Sequence, residues 1–428
     1  MSTIIIEPKR LQGELTPPAD KSISHRALII SALASGRTKI NNLSFCDDCQ
    51  RTKDALVALG VEIKTSGSQT CVQGNGLNGL SKPNRELYLG NSGTSMRLLL
   101  GILAGQQFNS VLCGDNSLSR RPMKRVAQPL SLMGAEIHAA RDGEFAPLNI
   151  QGAELKPIKY ATPVASAQVK SAILLAGLYT QGLTQVVEPA KSRDHTERML
   201  KKFGADVSVD GFLVSVTGPG NLLSCDLEVP GDISAASFFL AAACLVNSSE
   251  ILVKAVGLNP TRIAVLDVLK QMGARIQWDD QEDDGAEEPK GTIRAQSSQL
   301  QALPITAGQI PALIDELPIL MVAATQAQGE TKIEGAGELR VKETDRIQSM
   351  LTNLTRLGAQ IQTKGNDIII RGPVKLRGNT VDSFGDHRTA MSMAIAGLVA
   401  SGQTTITNAD CVDISFPGFF SELKRLAS

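Results

Sequence analysis

Apolar residues fall into six helix-length runs rich in Ala, Leu and Ser, and each is entered through a small polar turn. The turns are Asp20-Lys21-Ser22, Gly90-Asn91-Ser92-Gly93-Thr94, Ala165-Ser166-Ala167-Gln168, Gly231-Asp232-Ile233-Ser234, Leu313-Ile314-Asp315-Glu316 and Gly385-Asp386-His387-Arg388. They recur at intervals of roughly 70 to 80 residues, the mark of one unit used repeatedly. After the run comes a Gly and a β-branched strand, as in Gly36-Arg37-Thr38-Lys39-Ile40, Gly182-Leu183-Thr184-Gln185-Val186, Gly329-Glu330-Thr331-Lys332-Ile333 and Gly402-Gln403-Thr404-Thr405-Ile406. A second, amphipathic helix then stops at Gly60, Gly134, Gly204, Gly273 or Gly358, where a left-handed residue is wanted. One unit therefore reads strand, helix, strand, helix, strand, strand. Six are too many for one core, so two groups of three are expected, each burying its first-type helices within its sheets.

Composition narrows the partners. The 428 residues carry 43 basic and 43 acidic side chains, which argues against a nucleic-acid coat and makes any basic site local. The seven cysteines are scattered and odd in number, and no secretory signal precedes them, so the expected setting is a reducing cytoplasm. The longest apolar run, Phe238 to Val246, is about half a membrane span. The acidic stretch from Asp279 to Lys290 predicts a solvated, mobile loop between strands.

Several motifs fail. Gly74-Asn75-Gly76-Leu77-Asn78-Gly79 fits a dinucleotide fingerprint by letter, but Leu80-Ser81-Lys82-Pro83 cannot open an apolar helix. Cys46-Asp47-Asp48-Cys49 has metal-like spacing without a second pair or a nearby His, and reads as accidental. No Walker-type loop occurs, and neither His195 nor His387 has a Ser placed as a triad nucleophile.

Cations at or just after the turns stand out: Lys21, Arg26, Arg121, Arg193, Lys342, Arg346 and Arg388. Helix N-termini attract anions, so these residues and the turns together predict an anion site. Lys342 and Arg346 share one face if their segment is helical. Any single Lys or Arg of this kind is ordinarily a surface salt-bridge partner. Taken alone, Asp315 reads first as a helix cap, as do Asp232 and Asp386, and Arg97 reads as structural.

Pro18-Ala19-Asp20-Lys21-Ser22-Ile23-Ser24-His25-Arg26, Gly90-Asn91-Ser92-Gly93-Thr94-Ser95-Met96-Arg97, Arg120-Arg121-Pro122-Met123, Arg340-Val341-Lys342-Glu343-Thr344-Asp345-Arg346 and Asp386-His387-Arg388 closely resemble the signatures of the 5-enolpyruvylshikimate-3-phosphate synthase family. The resemblance runs from about residue 9 to Phe416-Pro417. It implies an α/β fold, a two-domain inverse α/β prism of six βαβαββ repeats, three per domain, with the active site in the interdomain cleft. It assigns 1–18 with 229–428 to one domain and 19–228 to the other. The implied reaction moves the enolpyruvyl group of phosphoenolpyruvate to the 5-hydroxyl of shikimate 3-phosphate, releasing phosphate, with no metal or organic cofactor, in a cytoplasmic monomer. The two substrates together bring on the order of five to six negative charges, comparable to the cations counted above.

The same resemblance distributes roles. Lys21, Ser22, Arg26, Ser166, Ala167, Gln168 and Arg193 would hold shikimate 3-phosphate, with Asp315 and Lys342 at its hydroxyl. Lys21, Gly93, Arg121, Gln168, Arg346 and Arg388 would hold phosphoenolpyruvate, the arginines by bidentate hydrogen bonds. Asp315 would be the base, Glu343 the acid, and Lys342 and Lys21 their cationic partners. Many members carry a Lys before Phe-Pro where this chain has Val412-Asp413-Ile414-Ser415-Phe416. Asp20-Lys21, Ser166-Ala167-Gln168-Val169-Lys170, Arg193-Asp194-His195-Thr196-Glu197 and Asn259-Pro260-Thr261-Arg262 resemble the class II subgroup, often tolerant to glyphosate. The rival is the sister enzyme acting on UDP-N-acetylglucosamine, which typically has Lys-Asn in place of Lys21-Ser22 and a reactive Cys in place of Asn116. A non-catalytic phosphometabolite-binding protein is the rival of another class.

Overall fold

The computed structural model describes residues 2–279, 283 and 285–427. The chain forms two compact units. The first comprises Met1–Pro18, Pro230–Glu282 and Pro289–Ser428, the second Ala19–Val229 with Asp283–Glu288. The second break in the chain thus falls after Val229, one residue later than the resemblance implies.

The second unit holds three four-stranded sheets with one connectivity. In one of them Lys159–Ala161 runs parallel to Gly182–Val187, which pairs antiparallel with Leu213–Gly218, itself antiparallel to Val207–Asp210. The helices Ala167–Gly177 and His195–Lys202 lie between these strands in sequence, giving strand, helix, strand, helix, strand, strand. The first unit repeats the order in Gln12–Leu15, Glu250–Gly257, Lys290–Gln296 and Arg275–Trp278, and adds two three-stranded sheets.

Each unit has its own core. The first-type helices supply its centre because beyond their opening turns they are apolar on nearly all sides, which an interior position satisfies. In Ile233–Leu245 every residue from Ile233 to Cys244 is buried. Close approach is purchased with small residues: a Cβ at Gly101, on Gly93–Leu103, would sit 2.4 Å from the Ala172 carbonyl oxygen on Ala167–Gly177. The five glycine stops have φ between +87° and +115°, the left-handed geometry that ends a helix without a Cβ clash.

Five of the six turns cap their helix by a side chain. Asp20 accepts from the Ile23 amide, Ser92 from Ser95, Ser166 from Val169, Asp232 from Ser234, and Asp386 from both Arg388 and Thr389. The fifth turn differs. Glu316, not Asp315, occupies the N-cap of Leu317–Gln326, and its side chain makes no capping bond.

Two expectations are corrected. Lys342 and Arg346 do not share a helical face, because the helix begins at Arg346 with Asp345 as its cap and Lys342 lies in extended backbone before it. Nor is the acidic stretch simply solvated: Asp283 makes a two-pronged pair with Arg198, Glu287 pairs with Lys202 and Glu288 with His195, all on the helix His195–Lys202. Positions 280–282 and 284 of that stretch lie outside the described residues.

Candidate active site

In the first unit the site is organised around one buried guanidinium. Arg346 is 1 % exposed and is surrounded by carboxylates. Its Nε donates to Asp386 Oδ2 at 2.8 Å, Nη2 to Glu343 Oε2 at 2.6 Å and Nη1 to Asp315 Oδ1 at 3.4 Å. Burial works against the charged guanidinium, but Asp386, Glu343 and Asp315 outweigh it and hold its pKa above the ordinary value. Asp386 thus does two jobs, capping the helix His387–Val399 and fixing Arg346. Arg388, in the first turn of that helix, donates through Nη1 to the Asp315 carbonyl oxygen at 2.9 Å and brings Nη2 within 3.7 Å of Asp315 Oδ2. Glu316 is buried behind it, with Oε1 3.9 Å from Arg388 Nη1 and accepting from Ser234. Two arginines and two partly exposed carboxylates, Asp315 and Glu343, therefore converge. Such a set can grip an anion and move protons beside it.

In the second unit the first helix, Lys21–Leu33, positions three predicted residues. Lys21 Nζ pairs with Asp48 Oδ2 at 3.0 Å. Arg26 is buried, with Nε donating to Thr196 Oγ1 at 2.6 Å, Nη1 to the Ser22 carbonyl oxygen at 2.8 Å and Nη2 to Ser171 Oγ at 2.9 Å. Its desolvation lowers its pKa to about 10. Arg26 is thus held inside a network, and its neighbour Arg193 is the more exposed cation of the two. Beneath them Lys170 Nζ lies 2.7 Å from both Glu188 and Glu197, an ion triad that pins the segment carrying Arg193.

A second group gathers on the neighbouring first-type helices. Gln168 Nε2 donates to Thr94 Oγ1 at 2.8 Å, and its carbonyl oxygen accepts from Arg97. Ser166 caps and Ala167 opens the same helix. Arg121 donates to Asn91 and approaches Ser117 Oγ at 3.4 Å. Gly93 opens its helix with both guanidiniums close, since a Cβ there would meet Arg97 Nη1 at 3.0 Å and Arg121 Nη1 at 3.4 Å.

Of the predicted residues, Asp315, Glu343, Arg346 and Arg388 come together in the first unit, while Lys342 stands four residues before Arg346 and half-buried. Gly93, Arg121 and Gln168 come together in the second through Arg97, which its position in mid-helix marked only as structural. Asp48, Glu316, Thr196, Ser171, Glu188 and Glu197 were missed. Asp48 carried a local signal as a first-turn acid on Asp47–Ala58, Glu316 as a member of the fifth turn, and Thr196 and Glu197 as members of the Arg193–Glu197 signature, whereas Ser171 and Glu188 carried none. Among the described residues no group of three or more His, Cys, Asp or Glu is arranged to hold a metal ion.

The family model for EPSP synthase (3-phosphoshikimate 1-carboxyvinyltransferase) matches residues 5–423. The chain belongs to the EPSP synthase family. It is 50 % identical over 418 residues to the 3-phosphoshikimate 1-carboxyvinyltransferase of Geobacillus kaustophilus, covering 97 % of this chain and 98 % of the relative. A Bacillus cereus enzyme of the same name is 48 % identical over 417 residues, 97 % of each chain. Among solved structures, EPSP synthase from Acinetobacter baumannii superimposes with a TM-score of 0.89 at 42 % identity, over 100 % of this chain and 98 % of the other. The EPSP synthase family fold therefore accounts for the whole chain, and both clusters fall within the matched span.

Proposed function

We propose that the protein is an enolpyruvyl transferase joining phosphoenolpyruvate to the 5-hydroxyl of shikimate 3-phosphate, with release of phosphate. The observation that carries this reading is the buried Arg346 holding both Asp315 and Glu343, with Arg388 anchored on the same loop. Arg346, Arg388 and Arg121 bind the phosphate and carboxylate of phosphoenolpyruvate, and Gly93 gives its backbone room. Lys21, Ser22, Arg26, Ser166, Ala167, Gln168 and Arg193 bind shikimate 3-phosphate, Lys21 and Gln168 also touching phosphoenolpyruvate. Both sets of groups serve one reaction.

An incoming anion competes with the carboxylates for Arg346 and releases them for proton transfer. Asp315 takes the proton of the 5-hydroxyl, with Lys342 balancing charge there. Glu343 protonates the methylene carbon, so that C2 accepts the attacking oxygen. The resulting tetrahedral ketal then returns a methyl proton to the Glu343 carboxylate as the C2–O bond to phosphate breaks, restoring the enol ether.

Phosphate release measured with phosphoenolpyruvate plus either shikimate 3-phosphate or UDP-N-acetylglucosamine tests the reading. Release with shikimate 3-phosphate alone is expected, and release only with the nucleotide sugar, or with neither, defeats it. The class II signatures support a further proposal, reduced glyphosate sensitivity; inhibition at low micromolar glyphosate with physiological phosphoenolpyruvate would contradict it. The enzyme acts as a monomer in the cytoplasm, and light scattering at the mass of one chain is the expected result.

A further inference from the structure

Two sequence motifs hold none of the residues assigned to substrate: the fourth turn, Gly231-Asp232-Ile233-Ser234, and Asn259-Pro260-Thr261-Arg262. They meet inside the first unit. Asn259 Oδ1 accepts from the amide and the hydroxyl of Thr261, and the Arg262 amide donates to the Asn259 carbonyl oxygen, a tight turn that fixes where Arg262 leaves the chain. The Arg262 side chain is buried; its Nη2 donates to Ser234 Oγ at 2.6 Å and lies 3.4 Å from Asp232 Oδ1. An arginine can only donate, so the Ser234 hydroxyl gives its own proton to Glu316 Oε1. Donation therefore runs one way, from Arg262 through Ser234 to Glu316. Beyond Glu316 stands Arg388, whose Nη1 is 3.9 Å from the same Oε1 and 2.9 Å from the Asp315 carbonyl oxygen.

We propose that Glu316 is a positioning residue of the reaction: held by Ser234 and Arg262, it keeps the Arg388 guanidinium aimed for phosphoenolpyruvate. Glu316 is 0 % exposed, so it touches no substrate and acts through Arg388. Capping does not account for it, because its side chain makes no capping bond at the N-cap it occupies. Stability alone does not account for it either. Its Oε2 is buried with no hydrogen-bond partner among the described residues, and a carboxylate so placed costs more than an apolar side chain would. The positive end of the helix Leu317–Gln326 offsets only part of that cost.

What the arrangement supplies is orientation before the ligand arrives. Arg388 Nη1 has the Asp315 carbonyl oxygen as its hydrogen-bond acceptor and the Glu316 carboxylate as a charge behind it. With both in place the guanidinium keeps one direction, and an anion that binds it gives up less side-chain freedom on binding. The Glu316 carboxylate is fixed in turn, since Ser234 lies in the first turn of the buried helix Ile233–Leu245 and Arg262 holds the Ser234 oxygen from the other side. Glu316 also shares the cation with its neighbour: Asp315 Oδ2 is 3.7 Å from Arg388 Nη2, so one guanidinium faces two adjacent carboxylates. The buried one holds the cation, which leaves the partly exposed one for proton transfer.

This role of Glu316 rests on the binding of phosphoenolpyruvate by Arg388, proposed above, and one set of variants separates the two. Glu316→Gln keeps the length of the side chain and removes its charge. Were Glu316 only a negative charge behind an anion site, its loss would lower KM for phosphoenolpyruvate; as a positioning residue, its loss raises it. The expected result is a rise of about tenfold, with the dissociation constant of shikimate 3-phosphate unchanged. Ser234→Ala, in a helix already rich in Ala, should raise the same KM about threefold, and it decides the matter if the glutamine variant does not fold. Arg388→Lys should raise KM as well, and adding Glu316→Gln to it should change KM no further, because the arginine through which Glu316 acts is gone. An unchanged or lowered KM in Glu316→Gln, beside a raised one in Arg388→Lys, overturns the role of Glu316 alone, as does a full additional rise in the double variant. An unaltered KM in Arg388→Lys overturns the assignment of Arg388 and the role of Glu316 with it.

Discussion

Asp315 and Asp386 stand at equivalent turns of the first unit, yet they have opposite employment. Asp386 is fully buried, accepts from two helix amides and holds Arg346 at 2.8 Å, so all its capacity goes into structure. Asp315 is not the N-cap, a position that Glu316 takes, and its carboxylate lies 3.4 Å from Arg346 and 3.7 Å from Arg388. A repeat whose turn is relieved of capping keeps a carboxylate for chemistry. The difference between the two aspartates is a displacement of one residue along the chain.

The sharpest way to break this comparison is Asp315→Asn. Turnover should drop about 10²–10⁴-fold, the worth of a positioned base, while stability changes by about 1 kcal/mol or less and shikimate 3-phosphate still binds. Near-normal turnover refutes the base. Asp386→Ala should show the reverse emphasis, with denaturant unfolding about 3–5 kcal/mol easier because a buried arginine loses its fully buried partner. If unfolding is unchanged, the division of labour is wrong. At the fourth turn Asp232→Ala should cost only about 1–2 kcal/mol, a cap's worth, and leave kcat unaltered. In the second unit Gly93→Ala sharpens the contrast between scaffold and site: its Cβ presses on flexible guanidinium tips, so we expect about 1 kcal/mol, roughly a fivefold rise in KM for phosphoenolpyruvate. An unchanged KM would remove Gly93 from that site.

The last effect is absent at neutral pH and appears only on acidification. His25 is buried beside the Lys21 turn, and desolvation lowers its pKa to about 3. Its folded pKa lies below the unfolded value near 6.5, so the unfolded chain takes up the proton first as pH falls. The neutral imidazole's contribution is complete above about pH 6.5 and declines toward pH 3, at no more than about 1.4 kcal/mol per pH unit. His25→Gln should flatten that part of the stability profile, and an unaltered slope would remove His25 as its source.

Much of the fold was legible because its signals are local. A cap reaches two or three residues, and a glycine stop depends on one φ, so Asp20, Ser92, Ser166, Asp232 and Asp386, with Gly60, Gly134, Gly204, Gly273 and Gly358, could be picked out by position. The candidate site was legible in its cations but not in what restrains them. Lys21 meets Asp48 across 27 positions and Arg97 meets Gln168 across 71, and no periodicity encodes such meetings. The acidic stretch misled for the same reason: its composition says solvent, whereas Arg198, 85 positions before Asp283, receives part of it.

The first strand of the chain, Thr3–Ile6, pairs with one of its last, Thr404–Thr407, whereas Ala19–Val229 is an uninterrupted run with a core of its own. Synthesis therefore treats the two units differently. At roughly 5–20 residues per second the leading strand waits about 20–80 s for its partner to emerge. The second unit's main run can close during that interval. Nascent chains halted shortly after residue 229 should already protect that run from protease while the leading strand is still open to it.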